Sequence, residues 1–373
     1  LSDSGLLIWG KTYYGSGDQR LYVASIDETP TGDFIMAGYG NFDGVGHGNY
    51  DLWVQKVTSN GEIIWKRIYG GPDSDGEWGD CAIQSTNDGG FILLGQTKSF
   101  GDGEYDLWIL KLDSNGNSVW QKTYGGNGSD FARSIKQTSD GGYIVLGEYR
   151  TADRSSDFWI LKLNSNGTIN WQKSYGGNSS EFASDITPTS DGGFVLTGRT
   201  GSFGYYKHAL WILKINNAGE VEWQKTYSYS TFEYYDYSNA IVETKDKNFI
   251  VIGNSSNKKS WILKINSDGN KLNAGNYSTL FSICETQDQG FVAVGFVDLD
   301  YLRKYYMVKM DKYMDIDGCN TTDTMNFNVD VPLNVIVSDT TIIAKETSVT
   351  PKIDPIQYFE SYSNNLYPTC GVQ

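Results

Sequence analysis

Two histidines are the first residues to consider for chemistry, because His most often moves protons near neutral pH. His47 and His208 lie in different parts of the chain, and neither is accompanied by a Ser-His or Cys-His pattern that would indicate an activated nucleophile. Two His without nearby Cys also make a poor zinc site. We therefore predict a protein that is not an enzyme, and we interpret both His as loop residues.

Clustered carboxylates are the second candidate, because calcium prefers hard oxygen ligands. Acidic residues occur close to glycines in two groups, which are Asp102, Glu104 and Asp106, and Asp311, Asp315 and Asp317. Neither group matches the twelve-residue calcium loop. We predict solvated turns and no cofactor or metal, with calcium at these two groups as the alternative.

Aromatic residues could bind sugars, because Tyr and Trp stack on sugar rings. Aromatics that recur once per repeat are better explained as packing, so the ligand candidates are those that do not recur. They are Trp78, Tyr205, Tyr206, Tyr234, Tyr235 and Tyr237. A propeller glycosidase would also need converging carboxylates. The predicted first strands offer them only at unmatched registers, at Asp27, Glu28, Asp185, Glu243 and Glu285.

Charge narrows the range of partners. The 373 residues carry a net charge of −15 and no Lys/Arg cluster, which argues against nucleic acid and against an anionic membrane surface. No run of 18 apolar residues is present, so we predict no membrane span. Many Gly, Tyr, Phe and Trp with few Pro indicate short strands joined by tight turns.

Cysteines and sequons suggest an exported protein. Cys319 and Cys370 are the predicted disulfide, which would tie the C-terminal tail to the end of the repeats, whereas Cys81 and Cys284 are predicted to be buried thiols. One disulfide favours an oxidising compartment. Six N-x-S/T sequons are candidate glycosylation sites, although an Asn- and Ser-rich chain produces sequons by chance. They lie at Asn127, Asn166, Asn178, Asn254, Asn276 and Asn320.

An internal repeat of roughly fifty residues must position all these side chains. A glycine that ends the predicted second strand recurs at Gly38, Gly95, Gly147, Gly198, Gly253 and Gly295. Asp-Gly and Asn-Gly turns separate four apolar runs in each copy, which predicts antiparallel four-stranded sheets. A lysine also recurs once per copy, at Lys56, Lys111, Lys162, Lys214, Lys264 and Lys309, and is predicted to pair with a turn carboxylate while its stem covers an aromatic of the neighbouring blade.

The predicted fold is all-β, a six-bladed β-propeller of four-stranded antiparallel blades over residues 1–318. The middle strands are apolar on both faces, as expected when neighbouring blades cover them. The N-terminal strand Leu7–Tyr13 has the sequence of a fourth strand, so we predict that it closes the sixth blade. Residues 319–373 lack the repeat and form a β-rich extension. A strap over the propeller or an arm that pairs with another subunit is preferred to a degenerate seventh blade.

The repeat motifs also resemble a known group. Trp-x-Lys-x-Tyr-Gly-Gly, Thr-x-Asp-Gly-Gly and Asp-Leu-Trp-Ile-Leu-Lys-Leu are similar to the propeller repeats of secreted and surface proteins of bacteria and archaea, and distantly to quinoprotein-like propellers. The resemblance covers residues 1–318 and implies architecture, because its residues build blades. A quinone-dependent enzyme would be expected to carry a vicinal Cys pair, which this sequence lacks.

The sequence predicts one function and leaves one alternative. The first is a non-catalytic protein at the cell surface or outside the cell, acting in adhesion or assembly, with other surface proteins or copies of itself as partners through the C-terminal tail. The alternative is a propeller that binds or processes carbohydrate, with glycans as ligands through the non-recurring Tyr and Trp residues.

Overall fold

The fold is all-β, as predicted. A computed structural model describes residues 11–13, 20–42, 49–76, 81–150, 155–204, 208–228, 236–255, 260–277, 279–299, 302–314, 328–330, 336–339, 345–346 and 358–360. Every regular element within these ranges is a β-strand. No helix with the length and hydropathy of a membrane span occurs in this part of the chain.

Six antiparallel sheets are the blades of a β-propeller, which confirms the predicted fold class and repeat number. After the short strand β1 (Lys11–Tyr13), blade 1 contains β2 (Leu21–Glu28), β3 (Phe34–Gly40), β4 (Asp51–Val57) and β5 (Ile63–Tyr69). Blade 2 contains β6 (Ala82–Ser85), β7 (Phe91–Thr97), β8 (Asp106–Leu112) and β9 (Ser118–Tyr124). Blade 3 contains β10 (Phe131–Gln137), β11 (Tyr143–Arg150), β12 (Ser156–Leu163) and β13 (Ile169–Gly176).

The remaining blades follow the same strand order. Blade 4 contains β14 (Glu181–Pro188), β15 (Phe194–Thr200), β16 (Ala209–Ile215) and β17 (Val221–Ser228). Blade 5 contains β18 (Asp236–Glu243), β19 (Phe249–Ser255), β20 (Ser260–Ile265) and β21 (Lys271–Tyr277). Blade 6 has three described strands, β22 (Leu280–Glu285), β23 (Phe291–Leu299) and β24 (Leu302–Met310).

The Thr-x-Asp-Gly-Gly motif makes the turn between the first and second strands. In blade 2 the Gly89 amide donates to the Thr86 carbonyl, and the Thr86 amide donates to the Gly90 carbonyl. Gly89 has a φ of +80°, a backbone conformation that glycine adopts without steric cost. Lys247 and Gln289 adopt the same left-handed conformation in blades 5 and 6, where the glycine is missing. The turn is therefore retained when its preferred residue is lost.

The chain divides into two compact units, one of Leu1–Ala152, Leu161–Gln172 and Thr340–Tyr367, and one of Asp153–Ile160, Lys173–Asp339 and Pro368–Gln373. In the first unit the core joins blades 1 and 2, where Val54 and Ile83 lie in one buried cluster. In the second unit similar cores join blade 4 to blade 5 around Ile241, and blade 5 to blade 6 around Ile283. β7 and β8 are buried along their whole length, which confirms the prediction for middle strands.

The Trp and Tyr side chains that recur in the fourth strands connect one blade to the next. The Tyr124 hydroxyl donates to the Gly167 carbonyl at 2.6 Å, and the Trp120 indole N–H donates to the Ser165 carbonyl at 3.1 Å. The Trp120 ring also packs edge-on against Tyr143. The same hydroxyl bond recurs from Tyr13 to Gly61, Tyr69 to Gly116, Tyr175 to Gly219 and Tyr227 to Gly269. The recurring aromatics are therefore packing residues.

The predicted closure by the N-terminal strand is wrong for the part of that strand that is described. Lys11–Tyr13 pairs with Tyr358–Glu360 of the tail and not with the sixth blade. Leu7–Gly10, which include Trp9, lie outside the described residues. Tyr13 still makes the hydroxyl bond of a fourth strand to blade 1. The described backbone partners of all three residues come instead from an extended segment of the tail.

The tail adds single strands to existing sheets. Its four described strands are β25 (Asn328–Asp330), β26 (Ile336–Asp339), β27 (Lys345–Glu346) and β28 (Tyr358–Glu360). They pair antiparallel with the outer strands β17, β13, β9 and β1, in that order. Successive tail strands thus meet the fourth strands in the reverse of their chain order. The described tail strands strap onto blades of the same chain rather than form a seventh blade.

We expect Tyr124→Phe to lower the free energy of unfolding by about 1–2 kcal/mol, because it leaves the buried Gly167 carbonyl without its hydroxyl donor. Urea unfolding followed by tryptophan fluorescence measures the change. Tyr313→Phe is the matched control, because Tyr313 is exposed. Equal unfolding midpoints for the two variants would show that the hydroxyl bond does not hold the blades together.

Candidate functional site

The recurring lysines are structural, as predicted. Each of the six pairs with the aspartate of the turn between the first two strands of its own blade, in the pairs Lys56–Asp33, Lys111–Asp88, Lys162–Asp140, Lys214–Asp191, Lys264–Asp246 and Lys309–Asp288. The predicted aromatic contact with the next blade is found at Lys264, whose ammonium lies 5.9 Å from the ring centre of Phe291.

The lysine pairs set the ionisation of the turn carboxylates. Burial alone would raise the pKa of Asp140, but hydrogen bonds from Lys162, Thr138 and the Gly142 amide outweigh it and lower the pKa to about 2. The same balance lowers the pKa of Asp88 to about 2. These carboxylates are charged throughout the physiological range, so they neutralise the lysines and do not exchange protons.

The first-strand carboxylates considered for a glycosidase join neighbouring blades. Asp27 accepts from the Ser85 amide at 2.7 Å, and Asp185 accepts from the Ile241 amide at 3.1 Å. Two glutamates make the corresponding bonds, Glu243 to the Ser190 amide and Glu285 to the Lys245 amide. Each carboxylate accepts from a backbone N–H of an adjacent blade. Their positions are therefore explained by blade-to-blade bonding.

The first calcium candidate group does not converge on one point. Asp102 and Glu104 are exposed, as predicted for solvated turns, and Glu104 accepts from the Ser129 hydroxyl at 3.3 Å. Asp106 is buried, so its interpretation as a solvated turn residue was wrong. Its Oδ2 accepts from the amides of Asp102 and Gly103 and closes the loop on itself.

The second candidate group is described only at Asp311, which is exposed and accepts from the Tyr313 amide at 2.8 Å. Asp315 and Asp317 lie outside the described residues. Among the residues that the structure describes, no group of three or more His, Cys, Asp or Glu side chains could hold a metal ion.

Buried carboxylate pairs were not predicted from the sequence. In blades 1 to 3 an aspartate is the first or second residue of the third strand, and a second acid lies six residues after the fourth-strand tyrosine. In blade 2 these residues are Asp106 and Asp130. A Cβ atom on Gly125 would lie 1.6 Å from Oδ1 of Asp106 and 2.9 Å from Oδ2 of Asp130. The first glycine of Tyr-Gly-Gly is therefore required by the carboxylates that pack against it.

The pKa values of these second acids rise. Burial raises the pKa of Asp130 to about 6, and the charge of Asp106 adds to the rise, although the amides of Gly126 and Arg150 oppose it. Burial also raises the pKa of Asp75 and of Glu181, which occupy the same position after their tyrosines. Burial thus raises the pKa of all three acids, a property that the motif alone did not reveal.

Half-exposed aromatics at one register of the first strands are the strongest ligand candidates, with two in each compact unit. Tyr22, Phe131, Phe182 and Tyr237 each precede the residue that pairs with the second-strand glycine of their blade. We call these four residues the first-strand aromatic row. The sequence predicted Tyr237 as a ligand residue that does not recur. Its register shows that it does recur, because each of the four aromatics lies sixteen residues before the second-strand glycine of its blade.

Guanidinium groups cover two of these rings. In blade 3 the Phe131 ring centre lies 5.9 Å from the Arg133 guanidinium and 5.6 Å from that of Arg150, and Arg133 also pairs with buried Glu148 at 2.8 Å. In blade 4 the Arg199 guanidinium lies 4.1 Å from the ring centre of Phe182. Such a cluster offers an apolar ring beside hydrogen-bond donors of positive charge.

Blade 1 presents stacked tyrosines at the same register. The rings of Tyr22 and Tyr39 are 4.8 Å apart and nearly parallel, and Tyr22 is 42% exposed. Tyr237 in blade 5 is 38% exposed. The other ligand candidates, Trp78, Tyr205, Tyr206, Tyr234 and Tyr235, lie outside the described residues, as does His47. His208 is described and has a φ of +66°.

Only some of the predicted cysteine and sequon residues lie in the described part of the chain. Cys319 and Cys370 lie outside the described residues. Cys81 is buried as predicted, Cys284 is exposed and not buried, and neither forms a disulfide. Among the sequons, Asn127, Asn166 and Asn178 are exposed, whereas the side chain of Asn276 and all of Asn320 lie outside the described part.

The sequon prediction is wrong for Asn254. Its side chain is buried and its Nδ2 donates to the Leu280 carbonyl at 3.4 Å, which leaves no room for a glycan in the folded protein.

Comparison with known proteins shows a likeness to solved structures in fold alone. Neither a protein-family model nor a curated protein matches the chain. A Bacteroides caccae protein of unknown function is 12% identical over 73% of this chain and 90% of its own, with a TM-score of 0.48. The WD40 β-propeller domain of Doa1 is 10% identical over 77% of this chain and 94% of its own, with a TM-score of 0.34. A eukaryotic initiation factor is 9% identical over 84% of this chain and 90% of its own, with a TM-score of 0.36.

We expect Asp130→Asn to remove part of the pH dependence of stability. Because the pKa of Asp130 is about 6 in the folded protein and that of an ordinary aspartate is 3.8, the folded state holds a proton that the unfolded state releases. Stability therefore falls as pH rises from about 4 to about 7, by about 2–3 kcal/mol for this group. Urea unfolding between these pH values measures the slope.

The control for this experiment is Asp73→Asn, at an exposed aspartate of the preceding blade connection. Its stability should follow the wild-type pH profile. If the profile of Asp130→Asn were also parallel to that of the wild type, Asp130 would not hold the proton.

Proposed function

We propose that this chain is a non-catalytic extracellular propeller that acts as a surface, adhesion or assembly subunit. The observation that carries the proposal is strand addition, since four outer strands accept an extended segment through main-chain pairing. Addition of a strand to a sheet edge is a common way for proteins to bind extended segments. A propeller whose blades accept such strands is suited to assembly.

The engagement of the recurring polar side chains supports the same proposal. The lysines neutralise turn aspartates and the first-strand acids bind backbone amides of neighbouring blades. These residues serve the frame, so the surface that remains for a partner consists of aromatic rings, loops and strand edges. Location outside the cell rests on the sequence, through the predicted Cys319–Cys370 disulfide, the exposed sequons and the resemblance to surface proteins.

The location and the assembly of the protein are tested in the host cell, with the full chain carrying an epitope tag. We expect externally added protease to degrade the chain in intact cells, while a cytoplasmic marker remains whole. A membrane-impermeant amine cross-linker should then shift the chain to higher-mass species. Protection from the protease until the cells are lysed would contradict the proposed location. A chain that stays monomeric under cross-linking at the surface would contradict assembly.

A second candidate, carbohydrate binding, is favoured by the first-strand aromatic row. Half-exposed rings stack on sugar faces, and the guanidiniums beside Phe131 can donate to a carboxylate. The ligand class that matches these groups is an acidic oligosaccharide. Tyr22 and Tyr237 offer rings without a described guanidinium contact and would suit neutral sugar faces.

For this candidate we expect Arg150→Ala to weaken binding of a uronic acid tetrasaccharide by about tenfold, because one charge-assisted hydrogen bond is lost. Isothermal titration calorimetry measures the affinity, with a neutral glucose tetramer as the comparison ligand. Arg20→Ala, at another exposed arginine, is the control and should bind as the wild type does. Absence of heat with either sugar would dismiss the carbohydrate candidate.

A further inference from the structure

The turn between the third and fourth strands carries an Asn-Gly pair in blades 1, 2 and 3. In each pair the Asn is exposed and the Gly is buried, and the pairs are Asn60–Gly61, Asn115–Gly116 and Asn166–Gly167. Asn followed by Gly is prone to lose ammonia, because a glycine nitrogen has no neighbouring side chain to hinder its attack on the Asn amide. These turns are therefore candidate sites of covalent change.

The blade junction requires the glycine of this pair. A Cβ atom on Gly167 would lie 2.9 Å from Cζ3 of Trp120, and Gly167 has a φ of +76°. Trp120 belongs to the fourth strand of the preceding blade, so the ring that packs on the turn excludes a larger residue there. Gly116 has the same relation to Trp65. The contact between blades thus places a reactive pair in the turn.

Two junction hydrogen bonds end on either side of Asn166. The Trp120 indole N–H donates to the Ser165 carbonyl at 3.1 Å, and the Tyr124 hydroxyl donates to the Gly167 carbonyl at 2.6 Å. Isoaspartate at residue 166 would insert the side-chain methylene into the main chain between these two carbonyls. Both acceptors could not then keep their positions, so the change would weaken the junction between blades 2 and 3.

The side-chain carbonyl of Asn166 is already polarised. Its Oδ1 accepts from the Thr168 amide at 3.1 Å and from the Thr168 hydroxyl at 2.7 Å. Attack on Cγ places negative charge on Oδ1, and donors that already point at this atom stabilise that charge. The surroundings of Asn166 therefore favour the reaction.

The first hairpin of the same blade carries a related pair, Asp140–Gly141, that is protected. Lys162, Thr138 and the Gly142 amide donate to the aspartate. Although burial opposes them, these bonds hold the pKa of Asp140 at about 2. An ionised carboxylate is a poor electrophile, because ring formation from aspartate requires the protonated carboxyl. Only the second hairpin is therefore reactive near neutral pH.

We propose that Asn166–Gly167 is a site of spontaneous conversion to isoaspartate, and that the conversion loosens the junction between blades 2 and 3. The Gly167 nitrogen bonds to Cγ of Asn166, its proton passes through solvent to Nδ2, and the Cγ–Nδ2 bond breaks to release ammonia. Water then hydrolyses the cyclic imide. Opening at the main-chain carbonyl gives isoaspartate and opening at Cγ gives aspartate. The inference is independent of the proposed function, because it concerns the stability of the frame.

The junction and the reaction oppose each other. The Gly167 amide donates to the Asn164 carbonyl at 2.9 Å, so its nitrogen attacks only after the turn has opened. The bonds from Trp120 and Tyr124 hold the turn closed. Loss of either bond should therefore raise the rate of conversion at Asn166.

The decisive test compares the ageing of the wild type with that of Tyr124→Phe, in the full chain produced without glycosylation. Both proteins are incubated at physiological pH and temperature, and isoaspartate is located by peptide mapping with mass spectrometry. We expect isoaspartate at residue 166 in the wild type and a several-fold higher rate in the variant. The rate at Asn115 should be equal in the two proteins, because Tyr69 still donates to the Gly116 carbonyl. Asp140 should stay unmodified.

A second variant, Asn166→Ala, tests the effect on the junction. Blade 4 has Ala218–Gly219 at the equivalent position and keeps the tyrosine bond, from the Tyr175 hydroxyl to the Gly219 carbonyl at 2.6 Å, so this variant should fold. Ion exchange isolates the aged wild-type fraction that is modified at residue 166 alone. We expect this fraction to unfold at a lower urea concentration than fresh wild type. Aged Asn166→Ala should lose less stability than aged wild type.

Four outcomes would overturn the proposal. They are the absence of isoaspartate at residue 166 in both wild type and Tyr124→Phe, an equal rise in rate at Asn115 and Asn166 in that variant, equal conversion at Asp140 and Asn166, and an unchanged unfolding midpoint for the isolated fraction. The second outcome would mean that general unfolding, and not the junction bond, controls the reaction.

Discussion

The structure depends on the junction between one blade and the next. A four-stranded blade has two apolar faces and cannot bury either of them alone, so each face must meet a neighbouring sheet. The fourth-strand tyrosine and tryptophan make that contact directional, because their polar atoms bind backbone carbonyls in a turn of the next blade. A hydrophobic interface alone would allow sliding, whereas two hydrogen bonds to one turn fix the register of the blades.

The polar residues of the repeat make ion pairs within a blade and hydrogen bonds to the next blade. Aspartates in the first hairpin hold lysines from the third strand, and acids of the first strand bind amides of the adjacent blade. The paired buried acids are different, because burial raises the pKa of one carboxyl of each pair. The blade is thus built from charged groups whose partners lie within one repeat length, which explains why the repeat tolerates so much variation in its loops.

Much of this architecture could be predicted from the sequence, because it is encoded locally. Asp-Gly turns, doubly apolar middle strands and one lysine per copy indicated the blades, their strand order and the lysine pairs. The aromatic row keeps a constant spacing of sixteen residues before the second-strand glycine, but it was missed because the position holds Tyr or Phe in four blades and no aromatic in the other two. The pairing of Lys11–Tyr13 with Tyr358–Glu360 joins segments distant in sequence, and such long-range pairing leaves no local pattern. The same limit applies to the exposure of Cys284, which depends on what covers blade 6.

The lysine–aspartate pairs bear on the electrostatic field around the molecule. Six of its thirty basic side chains are held inside hairpins of their own blades, so they contribute little to the field felt at a distance. Each pair cancels one charge of either sign, so the net charge of −15 determines the outer electrostatic potential. At physiological ionic strength that repulsion extends about 8 Å from the surface, so like molecules are kept apart until very short range. Backbone edges, which attract without regard to net charge, are the elements that can still hold an extended segment within that acidic field.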